Sequence, residues 1–322
     1  MADIILDSLR LVKALLFYVF SGFSESSKSR LSVARHLLKY RFQKSMGSEY
    51  MRRLVHGSLM DLPLKRKGIT YTLAVFGTRE ELETEIVQKE IKSGMTVVDL
   101  GANIGYYTLI LARGVTPGGR VYAIEPFPEN IDVLKRNIQI NGYEKLVEFS
   151  QLAISDKLGK TELFIGTGDN VHSIIDHFGN KQGSIEVETM SLFDFQEGRL
   201  SFDFIRMDIE GAEVMVVDGM AEMFKKGHFP KIFFEVHTTG DITPDPKYVH
   251  MLSILHEAGY RSKYVVSAAN KNALPDFATL GYTPEKVMDS GHALFTGIKP
   301  DDLMNIVPRR PKTTRAIYFE HV

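Results

Sequence analysis

The sequence predicts an α/β protein built on a doubly wound, mostly parallel sheet, and three observations predict it. Val97-Val98-Asp99-Leu100 runs into the turn Gly101-Ala102-Asn103-Ile104-Gly105 and then into the apolar Leu109-Ile110-Leu111. A buried parallel strand has this form where its carboxyl end opens into a glycine turn and a helix N-terminus. Strand and helix patterns then alternate along most of the remaining chain. Finally, the predicted strand ends carry Asp99, Glu125, Asp208 with Glu210, and Glu235 with His237. Capping explains any one of these, but four on one edge point to a ligand site, because open α/β sheets bind ligands outside the carboxyl ends of their strands.

The chain has 322 residues, enough for one large domain with an appendage. It is 44% hydrophobic and 25% charged, ordinary for a soluble globular protein, and has no cysteine, which excludes disulfides and thiolate metal sites. Residues 1–67 hold thirteen Lys/Arg against five Asp/Glu, while the whole chain has a net charge of −1. A basic head on an acidic body suits an anionic partner such as a membrane surface, or is a solvated helical face.

Taken in order, Ile4 to Phe20 is apolar but carries Asp7, Arg10 and Lys13 at three-residue spacing, along one side of a helix. Its uninterrupted apolar run, Ala14 to Phe20, is far short of the ~20 residues a spanning helix needs. No small-residue cleavage site clearly follows it, so an interfacial helix or a dimer-packing helix fits better than a signal peptide. The expectation is a cytoplasmic protein, peripheral on the membrane or homo-oligomeric through this head. Ser21 to Ser29 reads as a linker and Leu31 to Met46 as a helix, so residues 1–67 form a basic helical segment ahead of a main domain over 68–322. Ile69 to Phe76 alternates as a strand, and Glu80 to Ile91 is a helix with acids in its first turns.

Val121 to Ile124 is the second core strand, ending in Glu125-Pro126-Phe127-Pro128. Asn130 to Ile140 is a helix closed by Asn141-Gly142. Val147 to Ala153 makes a third strand. Thr161 to Ile165 and Ile185 to Thr189 pair as an inserted hairpin around a Gly/Asn/His loop. Phe202 to Met207 is the fourth core strand, followed by Asp208-Ile209-Glu210-Gly211-Ala212-Glu213 and a helix to Phe224. Ile232 to His237 is the fifth, Tyr248 to Ala258 a helix, Tyr264 to Ser267 the sixth, and Ala293 to Thr296 an edge strand.

Gly101 and Gly105 permit positive φ and close backbone approach to a ligand. Asp99 suits a ligand's ammonium group or loop amides, and Glu125 stands where an acid grips a ribose diol. A ribose grip is common to dinucleotide and S-adenosylmethionine sites, so a nicotinamide-dependent oxidoreductase stays open. The missing Gly-x-Gly-x-x-Gly spacing argues against it. An RNA methyltransferase would use a basic head, but no aromatic-interleaved RNA module is visible, so nucleic acid is not the expected partner.

Taken together, Val98-Asp99-Leu100-Gly101-Ala102-Asn103-Ile104-Gly105-Tyr106-Tyr107-Thr108, Glu125-Pro126 and Ile205-Arg206-Met207-Asp208-Ile209-Glu210-Gly211-Ala212-Glu213 resemble the FkbM family of S-adenosylmethionine-dependent methyltransferases. Glu235-Val236-His237, His56-Gly57 and Asp169 to Ile174 fit as well, and the resemblance covers about residues 55–240. It implies a seven-stranded methyltransferase sheet and methyl transfer to a hydroxyl of a sugar, lipid-linked glycan or glycosylated small molecule. It places S-adenosylmethionine against Asp99, Gly101, Asn103, Gly105, Tyr106, Glu125, Pro126, Phe127, Ala153 and Asp208. Because a sugar alcohol must lose its proton as the bond forms, His237 and Asp208 are the expected base and orienting partner, with Glu210 beside them. Asn170, His172, Ser173, Glu235 and His237 are the expected acceptor contacts. Asp208, Glu210, Glu235 and His237 would also suit a hard cation, but nothing in their spacing fixes an octahedron, and no metal is expected.

Overall fold

The computed structural model describes residues 30–66, 68–156, 158–166, 172–176, 183–238 and 243–322. The expected helix over Ile4 to Phe20, the Ser21 to Ser29 linker and Asn170 lie outside the described residues. The chain opens with α1 (Arg30–Ser45), the hairpin β1 (Tyr50–Val55) and β2 (Ser58–Pro63), α2 (Ile69–Val75) and α3 (Glu81–Glu90). The glycine turn joins β3 (Thr96–Leu100) to α4 (Tyr106–Val115), followed by β4 (Arg120–Ile124), α5 (Pro128–Gln139) and β5 (Val147–Ser150). The insertion comprises β6 (Ala153–Ser155), β7 (Gly159–Phe164) and β8 (Ser184–Ser191). Then come α6 (Leu192–Gln196), β9 (Phe204–Met207), α7 (Glu213–Gly219), α8 (Ala221–Lys225), β10 (Lys231–Glu235), α9 (Pro246–Glu257) and β11 (Tyr260–Ser267). The last described elements are α10 (Ala273–Ala278), β12 (Lys286–Val287), β13 (Ala293–Thr296), α11 (Pro300–Ile306) and β14 (Thr314–His321).

The main sheet has nine strands in the order β12-β13-β11-β14-β10-β9-β3-β4-β5. It is thus wider than the expected seven by the short β12 and β13. The central pairs β10–β9, β9–β3, β3–β4 and β4–β5 are parallel. Strand order reverses between β3 and β9, which places the switch point beside the glycine turn. All five residues of β3 are buried. Val97 enters the apolar core on one face of the sheet and Val98 the core on the other, as the two-residue period of a strand covered on both sides requires.

Four expectations are corrected. Ile69 to Phe76 is the helix α2 and not a strand: Ile69, Leu73, Thr70 and Ala74 are buried at four-residue spacing, and that helical period wins over the weak alternation. Residues 50–63 are a β-hairpin, so the head is not wholly helical. Met51, Met60 and Leu62 join the same apolar core as Val97, and buried Asp61 takes ion pairs from Arg52 at 2.7 Å and Arg136 of α5 at 2.5 Å. The expected third strand divides: β5 stops at Ser150, and Ala153–Ser155 leaves the main sheet to pair in parallel with β8. Lastly, Ala293–Thr296 is not the edge, because β12 pairs outside it.

Gly101, at φ +80°, marks the closest approach of β3 to β9: a Cβ there would sit 1.9 Å from the carbonyl oxygen of Asp208. Backbone cannot yield as a flexible side chain does. Gly101→Ala is therefore expected to cost about 3 kcal/mol or more in thermal or urea unfolding, from overpacking added to left-handed strain. Gly118→Ala, where φ is +87° and nothing lies within 4 Å, serves as the control and should lose only about 1 kcal/mol.

Candidate active site

At the carboxyl ends of β3, β4 and β9 lies an open cleft of about 800 Å³, its mouth included. The glycine turn supplies Gly101, Ala102 and Asn103, α4 supplies Tyr106 and Tyr107, and the end of β4 supplies Glu125 and Pro126. Ala153, Leu163, His172 and Ser173 come from the insertion, and Arg206, Asp208 and Glu210 from the end of β9. Arg79 and Glu80 close the remaining wall. Five described non-glycine residues have positive φ, and three of them, Glu80, Asn103 and Glu210, line this cleft. Strained backbone of this kind gathers at functional sites.

Arg206 is the centre of the construction. Its guanidinium donates to Asp99 at 3.0 Å and to Asp208 at 2.8 Å, and lies 4.0 Å over the ring of Tyr107. Asp99 is wholly buried, takes a second bond from Thr108 at 2.7 Å and is not on the cleft wall. It anchors the arginine, a correction to its expected contact with the ligand. Nε of Arg206 and the hydroxyl of Tyr107 are buried without partners, so the wall keeps unmet polar atoms there.

Glu125 accepts from the backbone N–H groups of Asn103 at 2.8 Å and Phe127 at 3.0 Å, and from Asn130 at 3.2 Å. Burial outweighs these bonds and pushes its carboxyl up to about 7. A carboxylate oxygen has room for two donors, so a diol can join the loop amides. Beyond Glu125 the ring of His172 packs 4.2 Å from that of Phe127, centroid to centroid. Burial, helped by Arg66, pushes His172 down to about 4, and both its ring nitrogens are buried and unpartnered. A neutral imidazole edge beside an aromatic ring suits a heterocyclic base. His172 thus lines the same cleft as Glu125, where the sequence suggested an acceptor contact. Ser173 ties the insertion to the acidic end by donating to the carbonyl oxygen of Glu210 at 2.7 Å.

The acidic end differs from expectation in one respect. Asp208 and Glu210 line the cleft, whereas His237 and Glu235 do not and stand behind them. His237 Nε2 is 3.5 Å from Glu210 and 3.8 Å from Asp208, and Nδ1 is 3.2 Å from Glu213. Burial alone would lower its pKa, but Glu213, Glu235 and Glu210 outweigh that and raise it well above the usual histidine value. A histidine held as a cation is a poor proton acceptor. Glu210 is pushed up to about 8, chiefly by burial and then by Asp208, so it exchanges its proton near neutral pH. Asp208, Glu235 and His237 bring ligand atoms within 4.8 Å of one another. Arg206 at Asp208 and Arg315 at Glu235, 3.3 Å away, already supply the positive charge a cation would bring.

Of the remaining expected cofactor contacts, Gly101, Asn103, Tyr106, Pro126 and Ala153 line the cleft, while Gly105 and Phe127 do not. Gly105 faces Leu134, and a Cβ there would lie 2.8 Å from its side chain. Arg79, Glu80, Tyr107, Asn130 and Arg206 are wall residues that sequence reasoning did not assign. Arg206, between two β-branched or apolar strand residues, carried a signal: a charge inside a buried strand needs a partner.

Residues 99–262 match the model of the methyltransferase FkbM domain family. Methyltransferase sdnD of Sordaria araneosa is 25% identical over 184 residues, 44% of this chain and 71% of that protein. A protein-L-isoaspartate O-methyltransferase of Aeropyrum pernix is 47% identical over 55 residues, which is 17% of this chain and about a fifth (21%) of the relative's length. The crystal structure of an FkbM methyltransferase from Methylobacillus flagellatus KT is 13% identical with a TM-score of 0.40, covering 89% of this chain and 59% of that one.

Replacing Arg206 by Met would leave Asp99 charged, buried and short of its ion-pair partner. Urea unfolding should show a loss of about 3–5 kcal/mol, whereas Arg206→Lys, which keeps the charge, should lose much less.

Proposed function

Since about half of its residues carry the FkbM methyltransferase domain, the chain belongs to the FkbM methyltransferase family, and we infer that it transfers a methyl group from S-adenosylmethionine to an alcohol oxygen of a sugar-bearing acceptor, either a glycosylated small molecule or a lipid-linked glycan. The observation that carries this is the presence of Asp208 and Glu210 on the wall of the cleft that also holds Glu125. One end therefore suits a nucleoside and the other offers carboxylates able to take a proton.

The unmet polar atoms of the wall fit the donor. His172, with Ala153 and Leu163, would read its purine, Glu125 its ribose, and Arg206 Nε and Tyr107 its amino-acid tail. When bound, S-adenosylmethionine supplies an electrophilic methyl on a positively charged sulfur. The chain's own work is to receive the acceptor's proton. Glu210 does this, held near neutral pKa by burial and by Asp208, while Arg206 fixes Asp208 at 2.8 Å. His237 is a positioning residue: Glu213 holds its Nδ1 side, and its Nε2 side faces the two wall carboxylates. This reassigns the base from histidine to carboxylate.

Screening isolated glycans and glycolipids with radiolabelled donor should reveal incorporation into at least one neutral sugar hydroxyl. With that acceptor, kcat should rise with pH and level off above about pH 8, since Glu210 acts only when ionised. Glu210→Gln should lose the rising limb and fall by about a hundredfold or more. Incorporation into nitrogen, or a limb unchanged in the variant, would overturn the assignment.

The outer face of α1 supports a membrane-proximal acceptor. Leu31, Leu38 and Phe42 are exposed, at 79%, 43% and 65%, with Met46 just past the helix end at 68%, and Arg35 and Lys39 stand among them. Apolar and cationic residues on one helical face suit an anionic bilayer. Among the described residues no helix is long and apolar enough to cross one. Leu38→Glu combined with Phe42→Glu in the full chain should cut the affinity for phosphatidylserine vesicles, read by co-sedimentation, about a hundredfold or more, each lost side chain being worth roughly 1.5 kcal/mol or more of burial. Binding that persists unchanged, or a change only in oligomeric state, removes the membrane assignment.

A further inference from the structure

His56 and Gly57 form the turn of the β1–β2 hairpin, outside the residues 99–262 that carry the family match. His56 has a left-handed backbone at φ +46°, which a non-glycine residue keeps where surrounding contacts hold it. Those contacts dock the hairpin tip on α4, the helix that follows the glycine turn. His56 Nε2 lies 3.0 Å from the hydroxyl of Tyr106 and 3.1 Å from that of Thr78, and the two rings of His56 and Tyr106 meet edge-on at 5.7 Å. Its Nδ1 faces the side-chain amide of Gln88 at 3.3 Å. Further along α4, Arg113 donates to the carbonyl oxygen of Gly57 at 3.2 Å.

Tyr106 is buried and lines the donor cleft. Its hydroxyl donates to the carbonyl oxygen of Arg79 at 2.8 Å, and the hydroxyl of Thr84 lies 3.0 Å away. A phenol has one proton, and here Arg79 receives it, so toward His56 the oxygen can only accept. The imidazole must therefore carry a proton on Nε2, which leaves Nδ1 to accept from Gln88. The same hydroxyl sets the backbone of Arg79, which with the left-handed Glu80 closes one wall of the cleft. On its other side the ring of Tyr106 packs edge-on at 5.0 Å against Tyr107, over which Arg206 lies.

We propose that His56 is a positioning residue of the donor site: by donating to the Tyr106 hydroxyl it holds Tyr106 and the Arg79–Glu80 corner in the arrangement that receives S-adenosylmethionine. The N-terminal hairpin is then a working part of the transferase and not only a cover for its core. The role rests on the methyltransferase reading above. A hairpin that merely packed on the domain would need apolar contacts alone, and Met51, Met60 and Leu62 already supply them. The polar tip is additional to these, and it ends on a residue of the cleft wall.

Two replacements of His56 separate its hydrogen bond from its backbone. Asparagine tolerates left-handed φ but is too short to replace Nε2, whereas glutamine carries an amide nitrogen to about the position of Nε2 and is more strained there. The probe is S-adenosylhomocysteine, titrated by calorimetry into the full chain, with thermal unfolding followed on the same samples. His56→Asn should bind it about fivefold more weakly than the native chain, and His56→Gln within about twofold of native, even where His56→Gln has the lower Tm. Tyr106→Phe reaches the same bond from its other end. Combined with His56→Asn it should bind no more weakly than Tyr106→Phe alone, because the bond is already gone. Native affinity in His56→Asn, equal losses in His56→Asn and His56→Gln, losses that multiply in the double variant, or affinities that simply follow Tm across the set overturn the positioning role. Failure of the native chain to bind S-adenosylhomocysteine overturns instead the donor reading beneath it.

Discussion

The molecule is organised around one buried ionic contact, the guanidinium of Arg206 held between Asp99 and Asp208. Asp99 lies one residue before the end of β3 and Asp208 follows β9, so the contact joins the two strands between which the strand order reverses. Gly101 lets the backbones come close enough, because no side chain separates it from the Asp208 carbonyl. The floor of the cleft and one of its wall carboxylates are thus fixed by the same arginine. A buried ion pair of this kind adds little net stability over an apolar substitute, yet breaking it is expensive, and its worth lies in specifying one arrangement.

Around that contact the cleft changes character from end to end. The insertion side is largely apolar, lined by Ala153, Ile154 and Leu163, with a neutral His172 against Phe127. On the opposite side Glu210, Glu235 and His237 pack closely with Asp208 and Glu213, and burial and the neighbouring charges raise the proton affinities of Glu210, Glu235 and His237. The cation His237 offsets part of the repulsion among these carboxylates from behind the wall, leaving the front to carboxylates. An end with a neutral imidazole and an end of carboxylates are thereby held apart along a single cleft.

Much of this was legible in the residues and some was not. The strand–turn–helix at Val97 to Leu111 and the acidic block at Asp208 to Glu213 located the site, because a parallel strand ending in glycine or acid has few other uses. Roles within the site were less legible. Asp99 and Asp208 look alike in the sequence, and only Arg206 between them, two residues before Asp208, makes one an anchor and the other a wall. His237 was read as the base because it sits at a strand end where the transferred methyl should lie; three surrounding carboxylates raise its proton affinity, and they converge only in the fold. Ile69 to Phe76 read as a strand because helix α2 is short and buried on several sides, which blurs its period. The hairpin at Tyr50 to Pro63 was hidden in a segment dominated by charge, and β14 was missed although Thr314–His321 has the strong apolar run of a central strand.

That strand also constrains when the protein can assume its shape. β14 lies between β10 and β11, antiparallel to both, yet it follows every other element of the sheet in chain order. During synthesis β10 and β11 emerge long before the segment that must separate them, and they have no direct partner in one another. Until residue 321 has been made, the two halves of the sheet present unpaired edges, the surfaces most prone to mispairing. Arg315 arrives with that same late segment and reaches Glu80, Glu83 and Glu235. A nascent chain therefore acquires its finished acidic site only once β14 has been made, and a ribosome stalled before β14 would hold a cleft with an incomplete wall behind it.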